Sequence, residues 1–174
     1  ISYDGKSNPI IKNKYQQIFS PQTAYQITSM LKGVIERGTG KGLRELKLEL
    51  AGKTGTTNKN TDTWFIGFTS NYVVGVYIGY DNPRSLGKIE TGSKTAMPVF
   101  KEFIKKTANS DNARPFKVAD NINMMVIDAK TGKKANPKTK LAIIESFKKN
   151  DNKPDNIYNN FDSRLNRTNI LKFY

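Results

Sequence analysis

Hydrophobic positions recur along the chain with two periods, and each predicts its own elements. Ser20-Pro21-Gln22-Thr23 reads as an N-cap followed by proline at the first helical position, and Ala24, Ile27, Met30, Leu31, Val34 and Ile35 then repeat at helical spacing. A helix over 21–37 follows, closed by the basic Arg37 and the glycines of Gly38-Thr39-Gly40. An alternation over 47–54 predicts a strand. The aromatic and β-branched runs 63–68 and 72–80, joined by Thr69-Ser70-Asn71, predict a hairpin that Asp81-Asn82-Pro83 ends. Strands adjacent in sequence tend to lie side by side, so these three form consecutive strands of one antiparallel sheet. A second helix, from near Pro98 to Lys106, places Val99, Phe100, Phe103 and Ile104 to cover it.

The remaining segments are less regular. Residues 1–19 read as loop with one short strand, and 41–46 as a polar linker. Beyond 107 the composition turns to Asn, Asp and Lys, interrupted by a strand at 123–128, a turn at 129–137 and a short strand or helix at 139–147. The stretch 148–169 reads as a poorly ordered tail, and Ile170–Tyr174 is apolar enough to dock somewhere. The fold class expected is α/β, an antiparallel sheet flanked by helices over 1–107, with an irregular extension over 108–174 that holds a small hairpin.

The strand that leads into Lys53-Thr54-Gly55-Thr56-Thr57 carries the candidate chemistry. A strand edge offers backbone N–H and C=O groups to an extended peptide, and Gly55 removes the side chain that would obstruct it. Lys53 supplies a fixed positive charge, and Thr54 and Thr56 supply hydroxyls, a combination suited to a carboxylate.

Composition removes whole mechanisms. The 174 residues contain neither cysteine nor histidine, which excludes a disulfide framework, a thiol nucleophile, an imidazole base and a Cys/His zinc site. No cofactor or metal is expected. Twenty-nine Lys and Arg against 15 Asp and Glu give a formal charge of +14, which suits an anionic partner, yet the basic residues are spread along the chain. The chain opens Ile-Ser-Tyr-Asp, shows neither a signal-like leader nor an apolar run of membrane-spanning length, and reads as a piece of a longer chain or a soluble product of one.

Five blocks in order then make a resemblance specific. They are Met30-Leu31-Lys-Gly-Val34-Ile35-Glu-Arg37-Gly38-Thr39-Gly40, Ala51-Gly-Lys-Thr-Gly-Thr-Thr57, Trp64-Phe65-Ile-Gly67-Phe68, Val74–Pro83, and Pro98-Val-Phe-Lys-Glu-Phe103. Together the blocks resemble the C-terminal half of the transpeptidase domain of class A penicillin-binding proteins, the bifunctional murein synthases. That family uses S-x-x-K, S-x-N and K-T-G motifs in this order, and only the third stands in its proper context here. The resemblance implies that Lys53 maintains a positive field beside the catalytic serine, and that Thr54 and Thr56 bind the carboxylate of a D-Ala-D-Ala stem peptide or a β-lactam. It also implies that the N–H of Thr56 forms half of an oxyanion hole and that Gly55 lets the peptide lie along the strand. Thr57 completes the substrate-binding run; Thr57, and Trp64 as a core aromatic, are nearer to support than to chemistry.

Other short matches read as decoys. Ser29-Met-Leu-Lys32 lies inside the first helix, Ser146-Phe-Lys-Lys149 has the same spacing and no better context, and Ser110-Asp111-Asn112 comes after the K-T-G box instead of before it. Lys130-Thr131-Gly132 is a second K-T-G, in a hairpin turn and without the hydroxyl pair. The leading expectation is a fragment of a D,D-transpeptidase, extracytoplasmic by resemblance, that lacks its nucleophile and needs an N-terminal half. The alternatives are a subunit that complements a separate N-terminal half, or a basic module that grips an anionic polymer without catalysis; specific nucleic-acid binding is not expected. A sheet without its nucleophile-bearing helices would leave an apolar face short of partners, so the chain is expected to be sticky or marginally stable.

Overall fold

The computed structural model describes residues 16–108 and 114–149, together with two short strands near the start, β1 (Ser2–Tyr3) and β2 (Pro9–Ile10), which pair antiparallel. Ser110-Asp111-Asn112, the tail beyond residue 149 and the Ile170–Tyr174 segment lie outside the described residues. The first helix, α1, spans Pro21–Glu36. Ser20 caps it, its hydroxyl accepting the Thr23 N–H at 3.2 Å, which satisfies one of the free amides of the first turn. The helix stops at Arg37 without a left-handed residue. Gly38 is needed for room instead, because a Cβ there would lie 3.0 Å from the Val34 Cα and carbonyl oxygen.

The expected polar linker is a 3-10 turn, Lys41–Leu46, whose Leu43 is buried in the core. Lys47 then takes a left-handed conformation at φ 54°, which breaks the alternation expected from 47 onward. The strand β3 therefore runs Ala51–Thr56, so Lys53, Thr54 and Gly55 stand inside the strand rather than at its end. It pairs antiparallel with β4 (Asp62–Phe68), which pairs with β5 (Val73–Gly79), giving the order β3-β4-β5. The second helix, α2, spans Ala96–Thr107 and places Pro98 within its first turn, where a missing N–H costs nothing. The strands β6 (Ile122–Asp128) and β7 (Ala142–Lys148) form a hairpin, which resolves the 139–147 run as strand.

Alternation along β4 divides the sheet into two faces. Thr63, Phe65 and Gly67 point inward and Trp64 and Ile66 outward. The inner face meets α2 through Met97, Phe100 and Ile104, and Ile35, Leu43, Leu50, Phe65 and Ala96 complete the core. Phe65 and Phe100 stack with ring centroids 4.8 Å apart. Gly67 makes that approach possible, since a Cβ at this position would lie 2.7 Å from the Phe100 ring. The outer face carries Trp64, Ile66, Val73 and Tyr77, with 41, 50, 79 and 51 % of their surface exposed.

The first helix joins the two β units. Lys32 and Tyr25, seven residues apart on one stripe, face β3 and the residues before it, where Lys32 Nζ meets Glu49 Oε1 at 2.5 Å. A different stripe faces β7: Lys148 Nζ donates to the Thr23 hydroxyl at 2.7 Å, Gln26 Nε2 donates to the Ser146 carbonyl at 3.1 Å, and Arg37 pairs with Glu145.

The two glycines of the sheet's faces give a direct check on the packing. Gly67→Ala is expected to cost about 1–3 kcal/mol by overpacking against Phe100. Gly75→Ala, where a Cβ meets only Ile66 at 3.9 Å, is expected to stay within about 0.5 kcal/mol of the parent. Urea unfolding of both variants measures the contrast.

Candidate active site

The K-T-G run lies on β3, whose only strand neighbour among the described residues is β4. In the register Lys53 stands opposite Ile66 and Gly55 opposite Trp64, so Lys53 and Gly55 share the outer face. Thr54 and Thr56 fall on the inner side of the pleat. The Lys53 ammonium is exposed and turns back to donate to the Thr54 carbonyl at 2.8 Å, with the Thr54 hydroxyl 3.4 Å away. A solvent-facing amine held this close to a hydroxyl is available to an anion without further unfolding or burial cost.

Two contacts that the sequence reading did not identify hold this strand. Thr39, just past the end of α1, shares a 2.9 Å hydrogen bond with the Thr54 hydroxyl. On the other side Gly92 donates its N–H to the Thr56 hydroxyl at 3.1 Å. A Cβ on Gly92 would sit 2.6 Å from the Gly55 carbonyl oxygen and closer still to that of Trp64, so glycine alone permits the turn to press on the strand pair. The hydroxyls of buried Thr63 and half-buried Thr95, 2.6 Å apart, fasten the same turn to β4. The signal for this turn was the Gly/Ser/Thr composition of 87–95, which marks a loop but not its landing place.

Thr57 is engaged elsewhere. Its hydroxyl accepts the Asp62 N–H at 2.8 Å and its N–H donates to the Asp62 carbonyl at 3.0 Å, closing the β3–β4 connection. Trp64 is not the core aromatic expected, because the β4 alternation turns it to the outer face, 41 % exposed; there it packs on Tyr77 with ring centroids 4.7 Å apart, and the Tyr77 hydroxyl donates to Asp62 Oδ1 at 2.8 Å. That hydrogen bond, followed by burial and by the charges of Asp62 and Asp81, raises the Tyr77 pKa above the ordinary tyrosine value.

The decoy motifs are occupied by structure. Lys32 is paired with Glu49, which also accepts the Phe116 N–H at 2.7 Å. The buried Ser146 hydroxyl donates to the Met124 sulfur at 3.3 Å. In the second K-T-G, Asp128 Oδ1 accepts the N–H groups of Lys130 and Thr131 at 2.8 and 3.2 Å, and Gly132 takes φ +68°, a turn locked by its own side chain. Among the described residues there is no cluster of His, Cys, Asp or Glu that could hold a metal ion, and no helix long and apolar enough to cross a membrane.

A family model described as the penicillin binding protein transpeptidase domain matches residues 7–105, a span that holds α1, the three-stranded sheet and most of α2. The chain belongs to the penicillin-binding protein transpeptidase family. Penicillin-binding protein 1A of Rickettsia typhi is 44 % identical over 142 residues, which are 82 % of this chain and 18 % of that protein. Penicillin-binding protein 1A of Pseudomonas aeruginosa is 40 % identical over 140 residues, 80 % of this chain and 17 % of that one. The crystal structure of penicillin-binding protein 1A from Haemophilus influenzae superposes with a TM-score of 0.66 at 30 % identity, covering 75 % of this chain and 20 % of that one. The chain thus spans about a fifth of the length of the penicillin-binding proteins it matches, and it corresponds to the C-terminal part of the transpeptidase domain of the class A members.

The Tyr77–Asp62 pair has a titration signature. Ionised Tyr77 would face the Asp62 carboxylate, so the pair's stabilisation is present below the ordinary tyrosine pKa of about 10 and is lost as pH rises through the higher folded value. In Asp62→Asn, Tyr77 is expected to titrate nearer to the ordinary value. Site-specific 13C labelling of the tyrosine ring and an alkaline NMR titration measure it.

Proposed function

We propose that this chain supplies the substrate-gripping strand of a peptidoglycan D,D-transpeptidase, the acyl-transfer enzyme that cross-links stem peptides ending in D-Ala-D-Ala. The observation that carries the reading is the Lys53–Thr54–Gly55–Thr56 run on a strand whose only strand neighbour among the described residues is β4, braced by Thr39 and Gly92 with the Lys53 ammonium exposed. In this assignment the stem peptide, or a β-lactam in its place, lies along β3. Its carboxylate is held by the Thr54 and Thr56 hydroxyls in the field of Lys53. The Thr56 N–H points at the carbonyl oxygen that becomes negative in the tetrahedral intermediate, where one such donor is worth about 3–4 kcal/mol. Gly55 keeps the face beside the peptide clear. Thr57 and Trp64 support the strand rather than touch substrate, because Thr57 closes the turn at Asp62 and Trp64 stacks on Tyr77.

The nucleophile comes from elsewhere in this assignment. The ammonium of Lys32 is committed to Glu49 and the hydroxyl of Ser146 to Met124, so neither S-x-x-K match offers a serine with a free activating lysine. The helices that bring the serine and its lysine would cover the outer face of Trp64, Ile66, Val73 and Tyr77, and the working site lies on the extracytoplasmic side of the membrane. A serine attacks the D-Ala-D-Ala carbonyl there, D-Ala leaves with a proton, and the acyl group passes to an amine of a neighbouring stem.

A fluorescent penicillin is expected to leave the isolated chain unlabelled on a denaturing gel; a covalent adduct at Ser29, Ser110 or Ser146 would overturn the assignment. Supplied with the N-terminal half of the domain, the chain is expected to restore labelling. Lys53→Ala or Thr54→Ala in that assembly is expected to slow acylation by about 10²–10³-fold, with each variant's melting temperature close to that of the parent.

A further inference from the structure

The hairpin end between β6 and β7 concentrates charge that the transpeptidase reading does not use. Residues 129–141 carry Lys130, Lys133, Lys134, Lys138 and Lys140, all exposed, and no acidic residue. The one adjacent acid, Asp128, accepts the turn's own N–H groups. Lys130, Lys133, Lys138 and Lys140 have no ion-pair partner among the described residues. The loop is built to a fixed shape: Lys133–Ala135 runs back along β6, with an Ile127–Lys134 bridge and an Ala135 N–H to Val126 carbonyl bond of 3.0 Å. Asn136 Oδ1 accepts the Lys138 N–H at 2.8 Å, and Thr139 Oγ1 accepts that of Asn136 at 2.9 Å. Aromatic side chains on which a nucleobase would stack are absent from the loop.

Its position follows from α1. Along β7, the contacts Lys148–Thr23, Ser146–Gln26 and Glu145–Arg37 advance toward the C-terminal end of the helix as β7 is followed backward. The residues before Ala142 therefore emerge beyond that end. Thr39 leaves the same end and binds Thr54 of the K-T-G strand. The lysine loop and the candidate site thus open off one end of α1, on different stripes of a helix whose diameter with side chains is about 10–12 Å. Attraction between exposed charges falls off over a Debye length of about 8 Å at physiological salt. The loop's charge therefore acts on what lies against the loop itself.

We propose that the 129–141 loop is a second docking surface for the anionic wall polymer whose stem peptide occupies β3, gripping carboxylates on a neighbouring part of the same strand of polymer. The proposal rests on the transpeptidase reading. A small substrate does not reach the loop and gains nothing from it, whereas a polymer bearing an anion in each repeat does.

The test compares the parent chain with two variants of equal net charge, each +14 less four lysines, or +10. One is Lys130→Gln, Lys133→Gln, Lys138→Gln and Lys140→Gln; the other is Lys88→Gln, Lys94→Gln, Lys105→Gln and Lys117→Gln, exposed positions outside the loop. Co-sedimentation with purified peptidoglycan sacculi at about 50 and 200 mM salt is expected to show a loss of about tenfold for the loop variant. The control variant is expected to stay within about twofold of the parent. Equal losses in both, or no loss in the loop variant, would overturn the proposal. So would equally tight, loop-dependent binding to phosphatidylglycerol vesicles or to single-stranded DNA. In the assembly with the N-terminal half, the loop variant is expected to label with penicillin like the parent. Failure of the parent to label there would overturn the transpeptidase reading and leave the sacculus comparison as a separate result.

Discussion

A strand that is to receive a peptide along its edge must be held rigid by everything except that edge. Unpaired backbone groups are what the incoming chain reads, and they are also what invites slippage or misassociation. In this chain β3 meets the requirement through its partner strand β4 and through neighbours that approach from its inner face and from the end of α1. The core of Phe65, Phe100 and Ile104 fixes the sheet, and the Thr91–Thr95 turn presses on the inner face through Gly92. Thr39 reaches Thr54 from the end of α1. Each of these contacts leaves Lys53 and the outer side of Gly55 open.

The same arrangement explains where the fold is generous and where it is not. A Cβ is resisted at 67 and 92, one glycine admitting an aromatic ring and the other a whole turn, while at Gly75 it would meet only Ile66 in ordinary contact. Ion pairs hold α1 to both β units at modest exposure: Lys32–Glu49 toward β3 and Arg37–Glu145 toward β7. The first helix thereby carries positional information between the K-T-G strand and the lysine-rich hairpin end. The apolar outer face of the sheet stands apart from this economy, satisfied in register and hydrogen bonding yet open to a covering layer.

Local patterns in the sequence revealed α1, the β4–β5 hairpin and α2, because each has a clean period and a chemical stop. Ser20 and Pro21 mark the start of α1, and β4 alternates without a break. The start of β3 was not legible. Leu48 and Leu50 imitate strand alternation, but the left-handed Lys47 and the 3-10 turn before it turn those residues into loop packing, and Leu43 enters the core from a stretch that looks polar. The K-T-G box was legible as a motif, and its order among neighbouring blocks pointed to the family that the comparisons show. Its braces were not, since Thr39 to Thr54 and Gly92 to Thr56 are contacts between segments 15 and 36 residues apart that no local pattern encodes. The lysines of 129–141 were visible as composition, but their place beyond the end of α1 required the fold.

The most direct measurement is a crystal structure of the N-terminal half assembled with this chain after reaction with a penicillin. The account predicts the β-lactam carboxylate within hydrogen-bonding distance of the Thr54 and Thr56 hydroxyls, its acyl oxygen accepting the Thr56 N–H, and Lys53 beside the acylated serine. A penicillin bound covalently with its carboxylate and acyl oxygen away from β3 would contradict it.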